Sequence, residues 1–185
     1  MMVRLEKASL IITFIEKLCN NGSWCGETHI QKTMYFLQHL TNVPMEFEFI
    51  LYKHGPFSFD LRDELTGLRA DGLLYLDVRP PYGPGLLPTQ NAKRIRDHFL
   101  RTVEKYSNQM DFVTRYLGKK SVIELEQIGT ALFVTLKTGI QDQQARANEI
   151  NRLKSHIPID TALTAVQEVD KMKNDFEHAL NSNIK

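Results

Sequence analysis

The chain has 185 residues, 42% hydrophobic and 24% charged, with 23 Lys or Arg against 22 Asp or Glu and a formal net charge of +1. That composition supplies a buried core and argues against disorder, and the near-zero charge gives no whole-protein field to attract phosphate or an anionic membrane. Apolar runs are a few residues long where a membrane span needs roughly 20, the amino terminus has no signal-peptide pattern, and Cys19 and Cys25 are too few for a disulfide scaffold, so a cytoplasmic protein with two buried thiols is expected.

Leu10, Ile11, Phe14, Ile15, Leu18 and Cys19 share one stripe and predict a first helix over about 8–20, ended by Gly22. Thr28 and Gln31 have the spacing of a capping box and open a second helix, with Ile30, Met34, Leu37 and Leu40 as its stripe and Asn42 and Pro44 as its stop. A strand follows over 46–51, with Phe47, Phe49 and Leu51 on one face and Glu46 and Glu48 on the other. Gly55 and Pro56 break it. Gly55 supplies a backbone conformation that other residues resist and Pro56 fixes the chain direction, so Tyr52, Gly55 and Pro56 read as a structural corner.

Ser58 caps a third helix that buries Leu61, Leu65 and Leu68 and carries Asp60, Asp63 and Glu64 near its positive end. Leu74, Leu76 and Val78 then alternate, residues 79–85 form a Pro- and Gly-rich tip, and Leu86 and Leu87 return as the partner strand. From Asn91 the pattern is helical. One stripe runs through Ile95, Phe99, Val103 and Tyr106 and continues in Phe112, Val113, Tyr116 and Leu117. A capping box at Ser121 and Glu124 starts a helix whose face is Leu125, Ile128, Leu132, Phe133 and Leu136. A weakly periodic stretch over 142–156 precedes a last helix, with Asp160 as cap candidate and Leu163, Val166, Val169, Phe176 and Leu180 as its stripe.

These elements predict a mainly α protein with a small β-hairpin: a winged helix-turn-helix over 1–90, and a helical carboxy-terminal half over 91–185 packed on it. Residues 1–90 carry eight Lys or Arg against ten Asp or Glu, and the remainder 15 against 12, so the winged module is the acidic half.

The run Ile30, Gln31, Lys32, Thr33, Met34, Tyr35, Phe36, Leu37, Gln38, followed by Phe49, Ile50, Leu51, Tyr52, Lys53, His54, Gly55, Pro56, Phe57, Ser58, resembles the signature of the YwgA-like bacterial proteins. More distantly, it is similar to the Panacea (SocA-like) antitoxin domain and to the carboxy-terminal domain of macrodomain antitoxins. The resemblance covers about 8–90. It implies a winged-helix module that works by holding a protein partner, in the manner of an antitoxin or a phage-defence protein.

The charges of the third helix bear on the partner. Opposite Leu61, Leu65 and Leu68, the helix presents Asp63, Thr66, Gly67 and Ala70, where base readout requires Arg, Lys, Asn or Gln. Such a face suits close approach by a protein, or by the carboxy-terminal helices of the same chain. The expected contact surface is therefore this face with Lys53 and His54 at the corner and Arg79 and Tyr82 on the wing. The alternative is a homodimeric regulator binding duplex DNA through Arg62, Arg69, Arg79, Lys93, Arg94 and Arg96.

An enzyme is not expected. No phosphate-binding glycine loop, H-E-x-x-H or G-x-S-x-G pattern is present, and His54, Ser58 and Asp60 lie too close in sequence for a triad. The cysteines and histidines do not have the paired spacing of a structural zinc site, and His98, His156 and His178 read as isolated helical residues, so neither metal nor cofactor is expected.

Overall fold

In a computed structural model that describes residues 2–78, 80 and 83–182, the chain forms α1 (Arg4–Asn20), α2 (Glu27–His39), β1 (Ile50–Tyr52), β2 (Gly55–Phe57) and α3 (Phe59–Ala70). It continues through β3 (Leu74–Asp77), β4 (Gly85–Pro88), α4 (Ala92–His98), α5 (Leu100–Lys105), α6 (Ser107–Leu117), α7 (Val122–Thr138), α8 (Gln143–Leu153) and α9 (Ile159–Ser182). The protein is mainly helical, with two small antiparallel hairpins, β1–β2 and β3–β4. It divides into two compact units: residues 1–50 with 58–120, and residues 51–57 with 121–185. The boundary drawn near residue 90 from sequence falls inside the first unit, between β4 and α4.

In the first unit, α1 and α2 are buried nearly all round. Residues 8–15 of α1 and 29–37 of α2 are buried without interruption, where the sequence suggested one stripe on each helix. A helix wrapped on every side must satisfy its polar side chains inside the fold. Gln31 does so by pairing with both backbone groups of Ser58: its amide donates to the Ser58 carbonyl and its oxygen accepts from the Ser58 N–H, each at 2.9 Å. The expected Thr28–Gln31 capping box therefore does not form, and α2 starts from Gly26 without a side-chain cap. Two turns on, Gln38 treats Phe47 in the same way, again at 2.9 Å in both directions.

This second clamp explains why the strand expected over 46–51 shrinks to Ile50–Tyr52. Burial alternates from Thr41 to Ile50 as the pattern required, with Phe47 and Phe49 inward. However, Glu46 has φ +58° and the backbone of Phe47 is paired by a glutamine side chain, so no ladder forms there. Ser58 caps α3 as expected, its hydroxyl accepting from the Leu61 N–H at 3.2 Å, and Leu61, Leu65 and Leu68 are buried.

The β3–β4 hairpin forms with Leu74 opposite Pro88 and Leu76 opposite Leu86. Leu74 and Leu86 are buried, but Leu76 and Val78 are exposed, so the alternation read from sequence does not mark an inward face. The returning strand docks on residues 24–26: Leu86 N–H donates to the Cys25 carbonyl at 2.8 Å, and a Cβ at Gly85 would lie 2.6 Å from the Trp24 carbonyl oxygen. Only glycine permits that approach. Cys19 and Cys25 are joined in a disulfide rather than standing as two thiols, their Cα atoms 6.1 Å apart across the turn at Gly22 (φ +91°).

In the second unit, α7, α8 and α9 pack on one another and β2 packs on α7. The Ser121–Glu124 capping box is present in full. Leu125, Ile128 and Leu132 are buried, whereas Leu136, expected on the same face, is exposed. Asp142 caps α8 through the Ala145 N–H at 2.7 Å. Asp160 is not a cap: α9 begins one residue earlier, which places it in the first turn, and Leu180 near its end is exposed. Arg146, 3% exposed, makes a two-pronged ion pair to Asp170 at 2.8 and 2.7 Å and donates to Thr135 at 3.0 Å. Its hydrogen bond, reinforced by Gln143, holds the Asp170 carboxyl below the usual range against the opposing effect of burial. Among the described residues, no helix is long and apolar enough to cross a membrane.

Candidate interaction surfaces

The outer face of α3 belongs to the first unit. Asp63, Thr66 and Ala70 are exposed and Gly67 is half-buried, so the four residues grouped by sequence share one open face of α3. Its rim is cross-braced. From the first turn of α1, Arg4 reaches Asp71 at 2.8 Å and Glu64 at 3.2 Å, and these partners raise its pKa, the Asp71 hydrogen bond most. Its guanidinium passes so close to Gly67 that a Cβ there would lie 3.1 Å away. Arg62 pairs with its neighbour Asp63 at 3.2 Å and lies 5.0 Å over the ring of Phe59.

The cations of the DNA reading are thus partly committed. Arg62 is matched by Asp63, and Arg96 lies 2.6 Å from Glu16 and 3.5 Å from Asp97. Arg69, Lys93 and Arg94 stand exposed. Arg79 and Tyr82 lie outside the described residues.

Lys53 and His54 belong to the second unit and form the exposed two-residue turn of the β1–β2 hairpin. The corner is a hairpin rather than a strand break, since Gly55 and Pro56 open β2. Gly55 takes φ +86° while Lys53 and His54 do not enter the left-handed region, the pattern of a type I turn closed by a left-handed glycine. The rings of Tyr52 and Phe57 pack 5.7 Å apart across it.

Around that turn the structure assembles a group that sequence reasoning missed. Lys154 donates to the carbonyl oxygens of Tyr52 and Lys53, both at 2.5 Å. His54 Nδ1 lies 3.7 Å from one oxygen of Glu126, and His156 Nε2 lies 3.1 Å from the other. His156 is not on a helix, as read from sequence, but in the link between α8 and α9. These residues come from three segments up to about a hundred positions apart, and no local pattern announces their meeting. Ser58 is fully buried and its hydroxyl is used by the α3 cap.

No protein-family model matches the chain, and no curated protein matches it.

Proposed function

We propose that the chain is a winged-helix protein that binds another protein through the outer face of α3 and acts by contact rather than by catalysis, as an antitoxin-like or phage-defence regulator. The element order α1, α2, α3, β3, β4, with α3 packed on α2 and β3, supports the winged-helix part. The observation that carries the rest is the pairing of charges along α3, Arg62 with Asp63 and Arg4 with Glu64 and with Asp71 at the helix end, which leaves Arg69 as an exposed cation of the helix. A duplex is bound by cations free to replace counterions at phosphates. A face of short side chains instead favours close packing of a protein, and Tyr75 and Leu76 of β3 and Val78 just after it are exposed apolar side chains of the same unit.

Two measurements on the purified chain test this. Fluorescence anisotropy with labelled duplex at low salt is expected to show no saturable binding. Micromolar or tighter binding that falls steeply with added salt would instead support the homodimeric DNA regulator. A partner co-purified from the host is expected to be lost when the exposed Thr66 and Ala70 are replaced by Trp, and its retention by that folded variant would remove α3 as the contact surface.

A further inference from the structure

Besides pairing with β3, β4 is bonded to residues 24–26, all within the first unit. Leu86 N–H donates to the Cys25 carbonyl at 2.8 Å, Gly26 and Gly85 form an isolated antiparallel bridge, and the Trp24 indole donates to the Gly83 carbonyl. Cys25, at the middle of that segment, is fully buried and has φ +54°, a left-handed conformation that residues with side chains seldom adopt. Three bonds hold it there. Its N–H donates to the Ser23 hydroxyl at 2.9 Å, its carbonyl accepts from Leu86, and its sulfur is joined to Cys19 in the last turn of α1.

We infer that Cys19–Cys25 is a reversible thiol–disulfide site for a dithiol reductant, and that its redox state sets how firmly the edge of β4 is held. The bond joins residues only six positions apart, and a cross-link across so short a loop restricts the unfolded chain least. Its main effect is therefore local: it fixes the Cys25 backbone. The two residues differ in access, Cys25 being fully buried and Cys19 half-buried. A thiolate of the reductant attacks the Cys19 sulfur, forming a mixed disulfide, and Cys25 leaves as a thiolate. The reductant's second thiolate then attacks its own sulfur in the mixed disulfide and releases Cys19. The dithiol ends as a disulfide, and its two protons end on Cys19 and Cys25.

Without the cross-link, Cys25 is released from the left-handed region, which turns its carbonyl away from Leu86. The close approach at Gly85, where a Cβ would lie 2.6 Å from the Trp24 carbonyl oxygen, then opens. Leu74 and Leu86 remain buried and β4 still packs on α1, so the hairpin stays docked while its bonded edge is freed.

Amide hydrogen exchange on the chain oxidised by diamide and on the chain reduced by dithiothreitol tests the site, with free thiols counted in each. No free thiol is expected in the first state and both cysteines in the second. On reduction, exchange at Leu86 is expected to quicken at least about tenfold while Ile12 and Phe14 of α1 are unchanged. Thioredoxin with its reductase is expected to reduce the bond as dithiothreitol does. The Cys19→Ser/Cys25→Ser variant is expected to exchange like the reduced chain and to ignore reductant; the reduced parent decides the matter even where that variant folds poorly. Free thiols after oxidation, resistance to thioredoxin, or equal Leu86 exchange in the two states overturns the site. So does acceleration that extends through α1, which would make the bond a staple of the whole unit. No binding partner enters the measurement, so its outcome is separate from that of the α3 contact surface.

Discussion

Replacing Gln31 by Met probes the clamp that seats α3. The two side chains have similar length, and Gln31 and Ser58 are both 0% exposed, so water does not reach the groups left behind. The Ser58 N–H loses its partner at 2.9 Å, which costs about 1–3 kcal/mol for a buried donor. The Ser58 carbonyl also loses a bond of 2.9 Å but keeps the Arg62 N–H at 3.2 Å, so its loss is about 0.5–1.5 kcal/mol. The added apolar burial of Met offsets part of the sum, leaving about 1–4 kcal/mol, or roughly 2–15 °C in melting temperature for a chain of this size. Gln38→Met removes the same two-way pairing from Phe47, but Gln38 is half-buried and water replaces part of it, so about 0.5–1.5 kcal/mol is expected. Urea unfolding followed by the fluorescence of Trp24, the chain's single tryptophan and part of the same unit, reads both variants. The reasoning fails if Gln31→Met lies within about 0.5 kcal/mol of the parent, or if the two variants cost the same.

Two further expectations concern buried ionisable groups. His29 is 7% exposed with Nε2 3.3 Å from the Leu117 carbonyl, and burial, partly opposed by that carbonyl, lowers its pKa from 6.5. The unfolded chain therefore takes the proton first, so this contribution to stability is present above pH 6.5 and is lost as pH falls through the folded-state value. Melting temperature should drop between neutral and mildly acidic pH, and less so in His29→Asn; equal slopes would exclude His29 as the source. In the second unit, Asp170→Asn leaves the Arg146 guanidinium buried without its countercharge at a cost of about 3–5 kcal/mol, whereas a paired Arg146→Met/Asp170→Leu change costs less. Urea unfolding followed by helical circular dichroism compares them, and a single change as mild as the double one would contradict the buried-pair account. Because the Asp170 pKa is lowered, the pair's stabilisation is present above the ordinary aspartate value and is lost as pH falls through the lowered one.

Caps, helical stripes and a hairpin between neighbouring segments were legible in the sequence. The Ser58 cap, the Leu61, Leu65, Leu68 stripe, the return of Leu86 and the Ser121–Glu124 box each follow from local geometry, and each is present. Long-range demands overrode local ones elsewhere. Gln31 satisfied a capping-box spacing, yet burial of the whole of α2 made the Ser58 backbone, 27 residues away, the partner it had to serve. The hairpin at 50–57 looked like a break because Gly55 and Pro56 disfavour strand interiors, but here they begin a three-residue strand packed on α7. His156 read as isolated because its partner Glu126 is 30 positions away.

The pattern behind the family resemblance has a physical meaning of its own. Gln31 and Gln38 lie seven residues apart, two helical turns, so both amides emerge on one side of α2 and each fastens an extended backbone segment, at Ser58 and at Phe47. Tyr35, one turn from each, packs its ring 5.1 Å from Phe49 between those two points. Gly55 turns the chain, and Ser58, held by the Gln31 clamp, also caps α3. Gln31 and Gln38 lie in the run 30–38, and the Ser58 that Gln31 holds ends the run 49–58, so these residues encode how α3 is seated. Under the proposed protein-binding function, specificity would rest instead on Asp63, Thr66, Gly67 and Ala70, which are exposed or half-buried and take no part in the clamps, so exchanging these four should redirect binding while leaving the seat of α3 intact.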